Sequence, residues 1–173
     1  MRARALEPSV LAAARSVITN AQKENGVGIL DMGSATTGVA VFDEGELQFT
    51  GVVPIGSNDI TNDLATVLKT VPEIAEEIKV RFATAKFGSS DKDIVIKRGR
   101  EEHRFDRKEV DEVVEARLEE IFEGLRKLLE HAGYDKRLPE GLVLVGGGSK
   151  LRVIEVYARD QVELAVRLAK PEN

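Results

Sequence analysis

Two turns built from small residues, each at the end of an apolar run and about 110 residues apart, constrain this chain most. The first follows Gly26-Val27-Gly28-Ile29-Leu30 and reads Asp31-Met32-Gly33-Ser34-Ala35-Thr36-Thr37-Gly38, after which Val39-Ala40-Val41-Phe42 leads away. It has the shape of a phosphate-binding hairpin, with backbone amides and hydroxyls facing an anion beside an acid suited to a metal. Small residues between two strands also make a plain β-turn, and that alternative stays open. In the second, Leu142-Val143-Leu144-Val145 runs into Gly146-Gly147-Gly148-Ser149 and then a helical pattern. There the backbone can approach a planar or charged ligand closely.

With 173 residues, 42% of them hydrophobic, the chain fits one domain or two small subdomains with a real core. It has no cysteine, which excludes a disulfide scaffold, a thiolate zinc site and a cysteine nucleophile, and makes a reducing cytoplasm the simplest compartment. A net charge of -5 with 32% charged residues reads as an acidic, soluble protein with no overall nucleic-acid footprint. No apolar run approaches the roughly 18 residues of a membrane span, so no direct membrane anchor is expected in this chain. Met1-Arg2-Ala3-Arg4-Ala5 is not followed by a signal-peptide apolar region.

The pattern predicts one helix from about Pro8 to Gln22, then strands over 27–31, 37–42 and 47–54 as an antiparallel meander. A short helix to Leu68 follows. Thr70-Val71-Pro72-Glu73 has capping-box spacing ahead of a helix whose buried stripe is Ile74, Ile78 and Phe82. A small hairpin is expected around Arg98-Gly99-Arg100. From Asp106, apolar residues recur at helical spacing through Val110, Val114, Leu118, Ile121, Phe122 and Leu125, and Gly133 ends the run. Strand 142–145, a helix over 151–159 and a strand over 164–168 complete the order. It predicts an α/β fold, a mixed sheet flanked by helices, with a small inserted α+β subdomain. The core subdomain is expected over 1–59 and 106–173, and the insert over 60–105, with the helix from Asp106 shared.

Ile60-Thr61-Asn62-Asp63-Leu64-Ala65 and Ala75-Glu76-Glu77-Ile78-Lys79 lie between the two turns, and the whole order resembles the second lobe of the actin-like ATPases. The resemblance is closest to the FtsA family of bacterial cell-division proteins and spans about Leu6 to Asn173. It implies an actin-like, ribonuclease-H-like fold and half of an ATP site. Cofactor-binding positions would be Asp31, Gly33, Ser34, Ala35, Thr36, Thr37, Glu76, Lys79, Gly146, Gly147 and Gly148. Asp31 would help hold Mg²⁺ through water, or would merely cap amides. Glu76 and Lys79 share one helix face and would line the adenosine side, or form an ordinary solvated helix pair.

The loop departs from the family pattern at Ser34 and Ala35, where glycine is usual, and at Gly38, where an aspartate closes the loop. A side chain at a position needing positive φ costs about 1 kcal/mol. ATP binding by the isolated chain is therefore expected to be weak or absent, and catalysis is not expected from this chain alone. No first-lobe phosphate loop is present, so the chain reads as half of a two-lobed protein, excised or naturally split. The missing lobe or self-association would complete it.

The segment from Lys97 to Lys108 carries six Lys or Arg against three acids. It reads as a solvated hairpin or as a site for an acidic peptide. The resemblance implies that the small subdomain receives the C-terminal tail of FtsZ, with Arg98, Arg100, Arg107 and Arg117 as the peptide-binding candidates. A cytoplasmic location is implied, at the division site on the inner membrane in a full-length relative. Competing readings are a nucleotide-binding lobe of an actin-like ATPase completed by another chain, and an actin-like pilus-assembly or shape scaffold.

Overall fold

The computed structural model describes residues 9–169. Its organising element is β1 (Val27–Met32), an apolar strand paired on both sides and almost wholly buried. β2 (Thr37–Asp43) runs antiparallel to it with Asp31 opposite Gly38, and β3 (Glu46–Val53) continues the meander at the sheet edge. On its other side β1 pairs in parallel with β6 (Leu142–Val145), Gly28 opposite Leu142, and β6 pairs in parallel with β7 (Val166–Leu168). The mixed sheet thus has the order β3-β2-β1-β6-β7.

Both faces of this sheet are covered, which is why its central strands are apolar at successive positions rather than alternately. On one face Val27, Ile29, Ala40, Val143 and Val145 pack under Val10 and Ala14 of α1 (Ser9–Val17). On the other, Leu30, Val39, Val41, Leu142 and Leu144 join a larger core. Its helices are α3 (Ser57–Val67), α4 (Pro72–Phe82), α5 (Arg107–Ala132) and α6 (Ile154–Val162). Between α4 and α5 the chain makes a separate two-stranded hairpin, β4 (Ile94–Arg98) and β5 (Glu101–Phe105), turning at Gly99 and Arg100 as the sequence predicts.

α5 matches its sequence pattern closely. The Asp106 side chain caps it by accepting from the Lys108 amide at 2.8 Å, and Gly133 ends it in the left-handed conformation at φ 79°. Val110, Val114, Leu118, Ile121, Phe122, Leu125 and Leu129 are all buried.

Three expected elements differ. The helix expected from Pro8 to Gln22 is two helices, because Thr19 turns extended and restarts the chain as α2 (Asn20–Asn25). Thr19 Oγ1 accepts from the Gln22 amide at 3.2 Å and Gln22 Oε1 accepts from the Thr19 amide at 3.0 Å, a capping box that competes with helix continuation. Pro8 lies outside the described residues. The capping box expected at Thr70 does not form. A residue before proline is driven to extended backbone, so Val71, at φ -76° and ψ 151°, becomes the N-cap and Thr70 falls one position too early. Finally, the helix expected from Leu151 is delayed. A single 3-10 turn spans Gly147–Lys150, Val153 sits at φ 65°, and α6 starts only at Ile154.

Candidate functional site

The C-terminal ends of the parallel neighbours β1 and β6 lie side by side, so the two small-residue turns meet there. Gly146 has φ 84°, and a Cβ added to it would stand 2.5 Å from Asp31 Oδ1 and 2.6 Å from the Met32 carbonyl. Only glycine supplies both that dihedral and that approach.

The first turn is held by its carbonyls. The amides of Ser57 and Asn58, at the start of α3, donate to the carbonyls of Gly33 and Ser34 at 2.9 and 2.8 Å. Thr37 is buried and its hydroxyl donates to the Ile55 carbonyl at 2.9 Å. Ser34, Ala35 and Thr36 are exposed, and their amides make no hydrogen bond among the described residues. The strain expected at Ser34 and Ala35 is absent, because neither has positive φ. The carbonyls face α3, and three amides are left for an external acceptor.

Across from these turns, α3 and α4 form the opposite wall. Lys79 Nζ reaches the Ser57 carbonyl at 3.0 Å, Thr61 Oγ1 at 2.8 Å and Glu76 Oε2 at 2.7 Å. Thr61 Oγ1 donates to Glu76 Oε2 at 2.5 Å. Partial burial pushes the Glu76 carboxyl up, but the hydrogen bonds from Lys79 and Thr61 and the Lys79 charge outweigh it, holding Glu76 below its ordinary value.

Between the walls is a cavity of about 340 Å³. Thr37, Glu76, Lys79, Gly147 and Gly148 of the sequence candidates line it, together with Met32, Ser57, Ile60, Lys150 and Arg152, which sequence reasoning had not placed there. Gly33, Ser34, Ala35, Thr36 and Gly146 stand beside it rather than in its lining. Asp31 lies on the other side of the pleat. Its strand neighbours in parity are Val27 and Ile29 on the α1 face, whereas the cavity-lining Met32 points to the α5 face. Among the described residues no group of three or more His, Cys, Asp or Glu is placed to hold a metal.

The four candidate arginines do not converge. Arg98 donates to Glu77 at 2.7 Å and lines a shallow groove of about 660 Å³ between the hairpin and the α3–α4 turn, with Lys69 and His103. Arg100 is exposed in the hairpin turn. Arg107 is mostly buried and donates to the Phe82 carbonyl at 2.6 Å. Arg117 grips Asp63 with two nitrogens, at 2.5 and 3.1 Å, and reaches Glu120 at 2.7 Å. Its hydrogen bonds to Asp63 raise the guanidinium pKa against the effect of burial.

A mixed sheet whose parallel central strands end in paired turns, facing a helix pair across a cleft, defines this as a protein of the actin-like class. The fold is similar to that of MreB5 of Spiroplasma citri bound to ADP, with a TM-score of 0.79 at 21% identity, covering 95% of this chain and 55% of that one. It is also similar to a chain of the PilM-PilN type IV pilus biogenesis complex, with a TM-score of 0.67 at 20% identity, covering 88% and 38%. Likeness at these identities speaks for the fold alone.

The chain belongs to the FtsA family, since the family model for cell division protein FtsA matches residues 28–173. It is 38% identical to the cell division protein FtsA of Pseudomonas aeruginosa over 165 residues, 93% of this chain and 40% of that protein. It is 32% identical to FtsA of Escherichia coli strain K12 over 174 residues, 94% of this chain and 41% of that protein. The chain therefore spans about two fifths of the length of these relatives.

Proposed function

We propose that this chain forms one wall of an ATP site in an FtsA-like cell-division protein, and docks the C-terminal tail of FtsZ. The observation that carries the nucleotide half is the cavity in which Glu76 and Lys79 face Gly147 and Gly148, with three unpaired amides at Ser34 to Thr36 beside it. Glycine backbone on one side suits close approach of a planar base, and free amides suit phosphate oxygens. A Mg²⁺ would be held mainly by the phosphates and water, and Asp31, which faces the α1 side of the sheet rather than the cavity, would meet it only through water beyond the end of β1. MreB5, similar in fold, was crystallised bound to ADP and bound to AMPPNP, which agrees with a nucleotide-binding reading.

A first lobe, or a second copy of the chain, would close the cleft over the nucleotide, so affinity in isolation is low. Titration of the labelled chain with ATP and Mg²⁺ should shift the amides of Ser34 to Thr36, Glu76, Lys79, Gly147 and Gly148, with Kd no tighter than high micromolar. Shifts confined elsewhere, or low-micromolar binding, would refute this reading.

For the FtsZ tail, the hairpin and the Arg98 groove offer the surface, with Arg100 at its rim. Arg107 and Arg117 are already engaged internally and would act by holding the hairpin and α3 in place. The insert over 60–105 would be the docking subdomain and 1–59 with 106–173 the core, in a protein working in the cytoplasm at the division site. Reversing Arg98 or Arg100 to Glu should weaken an FtsZ-tail peptide by roughly 1 kcal/mol, about fivefold, and more salt should weaken it further. Lys23→Glu, on α2, should change nothing. A chain indifferent to this peptide would favour the scaffold reading instead.

A further inference from the structure

Beside the cleft, sharing only Arg152 with it, is a second concavity of about 370 Å³. Its lining is dominated by donors. Lys86, Arg107 and Arg152 bring three cations, and Ser89 and Ser90 bring two hydroxyls. The turn after α4 and the segment before α6 are tied together here, with the Ala85 amide donating to the Arg152 carbonyl at 2.8 Å.

Arg107 and Arg152 both donate to one oxygen, the Phe82 carbonyl at the end of α4, at 2.6 and 2.9 Å. Capping that helix end needs one cation, not two. Two guanidinium groups are thus held against each other's repulsion, and most of their N–H groups are not used by that oxygen. Arg107 Nε and the neighbouring Asp111 Oδ1 are both buried without a hydrogen-bond partner among the described residues. Neither Lys86 nor Arg152 forms an ion pair among the described residues. The acid that touches the group is Asp111, buried, with Oδ1 4.0 Å from Arg107 and Oδ2 accepting from the Gly88 amide at 3.2 Å. One negative charge against three positive leaves a cationic concavity on a chain whose net charge is -5.

We infer that this concavity binds the phosphoryl group of a small phosphate monoester. Two guanidiniums, an ammonium and two hydroxyls match an oxyanion with several acceptors and nearly two charges, whereas a single carboxylate would leave most of the donors unmet. The volume exceeds that of a phosphate group, leaving room for the organic part. The assignment does not rest on the nucleotide reading of the cleft.

The test is an amide NMR titration of the labelled chain with inorganic phosphate and with ribose 5-phosphate, against sodium chloride at matched ionic strength. Saturable shifts at Lys86, Ser89, Ser90, Arg107 and Arg152 are expected from both, with ribose 5-phosphate the tighter. Lys86 is exposed and unpaired, so Lys86→Ala should keep the native spectrum and weaken both ligands about tenfold. Linear shifts that sodium chloride reproduces, shifts centred on Gly147 and Gly148, or a Lys86→Ala variant that binds normally would each overturn the site. Equal affinity for the two ligands would overturn the monoester assignment.

Discussion

Lys79 spends its three donors inside the protein, on Ser57, Thr61 and Glu76, so it serves the cleft as a tie between α3 and α4. The same tie sets the charge state of Glu76. Its carboxyl is held below the ordinary value of 4.5, so the ionised form is worth more in the folded chain than in the unfolded one. That increment is present in full above about pH 4.5 and is lost as pH falls through the lower folded value. Glu76→Gln should therefore lower stability at pH 7, and the gap from the parent chain should close in acid. Urea midpoints measured across pH 3 to 7 check it, and a gap independent of pH would contradict the tie. Glu76, Lys79, Gly147 and Gly148 were legible through the resemblance of their motifs to the FtsA family, helix spacing adding only that Glu76 and Lys79 share a face. Ser57, Ile60 and Lys150 were not, since only tertiary packing brings them to the cleft. The position of Asp31 was legible in principle, because strand parity alone puts it with Val27 and Ile29 rather than with Met32.

Elements were readable where cap, stripe and stop agreed, as in α5, and misread where one local preference overrode another. Pro72 moved the α4 cap to Val71, and Thr19 with Gln22 broke what apolar spacing alone presented as one helix. Val153 is the strongest case. A β-branched residue in the left-handed region costs on the order of 1 kcal/mol or more, and nothing in its neighbours announces it. Val153→Gly should relieve this strain and raise stability by about 1 kcal/mol, while leaving the Ala85–Arg152 hydrogen bond intact. Chemical denaturation measures the gain, and a loss would show that the Val153 side chain does more than tolerate its backbone. Within α5, Phe122 is fully buried against Tyr157, their rings at 5.5 Å in an edge-to-face arrangement. Phe122→Ala should cost about 3 to 5 kcal/mol, whereas the adjacent Glu123→Ala, on the exposed face, should barely move the midpoint.

For the molecule as a whole, the sheet with helices on both faces followed from the order of elements, whereas the strand order across it needed the parallel pairing of β1 with β6. The two sheets should differ in local stability. β1 and β6 are paired and covered on both sides, but β4 and β5 pair only with each other. Native-state hydrogen exchange should be slowest at Leu30 and Leu144 and markedly faster across the hairpin. Equal protection would mean that the hairpin and the core open as one unit.

The pairing of Gly28 with Leu142 also sets a schedule for biosynthesis. One edge of β1 stays without its partner until more than a hundred further residues have been added, roughly 6 to 20 seconds at common translation rates. Through that interval the nascent chain carries an apolar strand, Val27 to Leu30, whose outer backbone groups are open to any other strand that meets them first. A ribosome stalled before Leu142 should hold a chain cut rapidly by protease near Asp31, and one stalled well past Val145 should not.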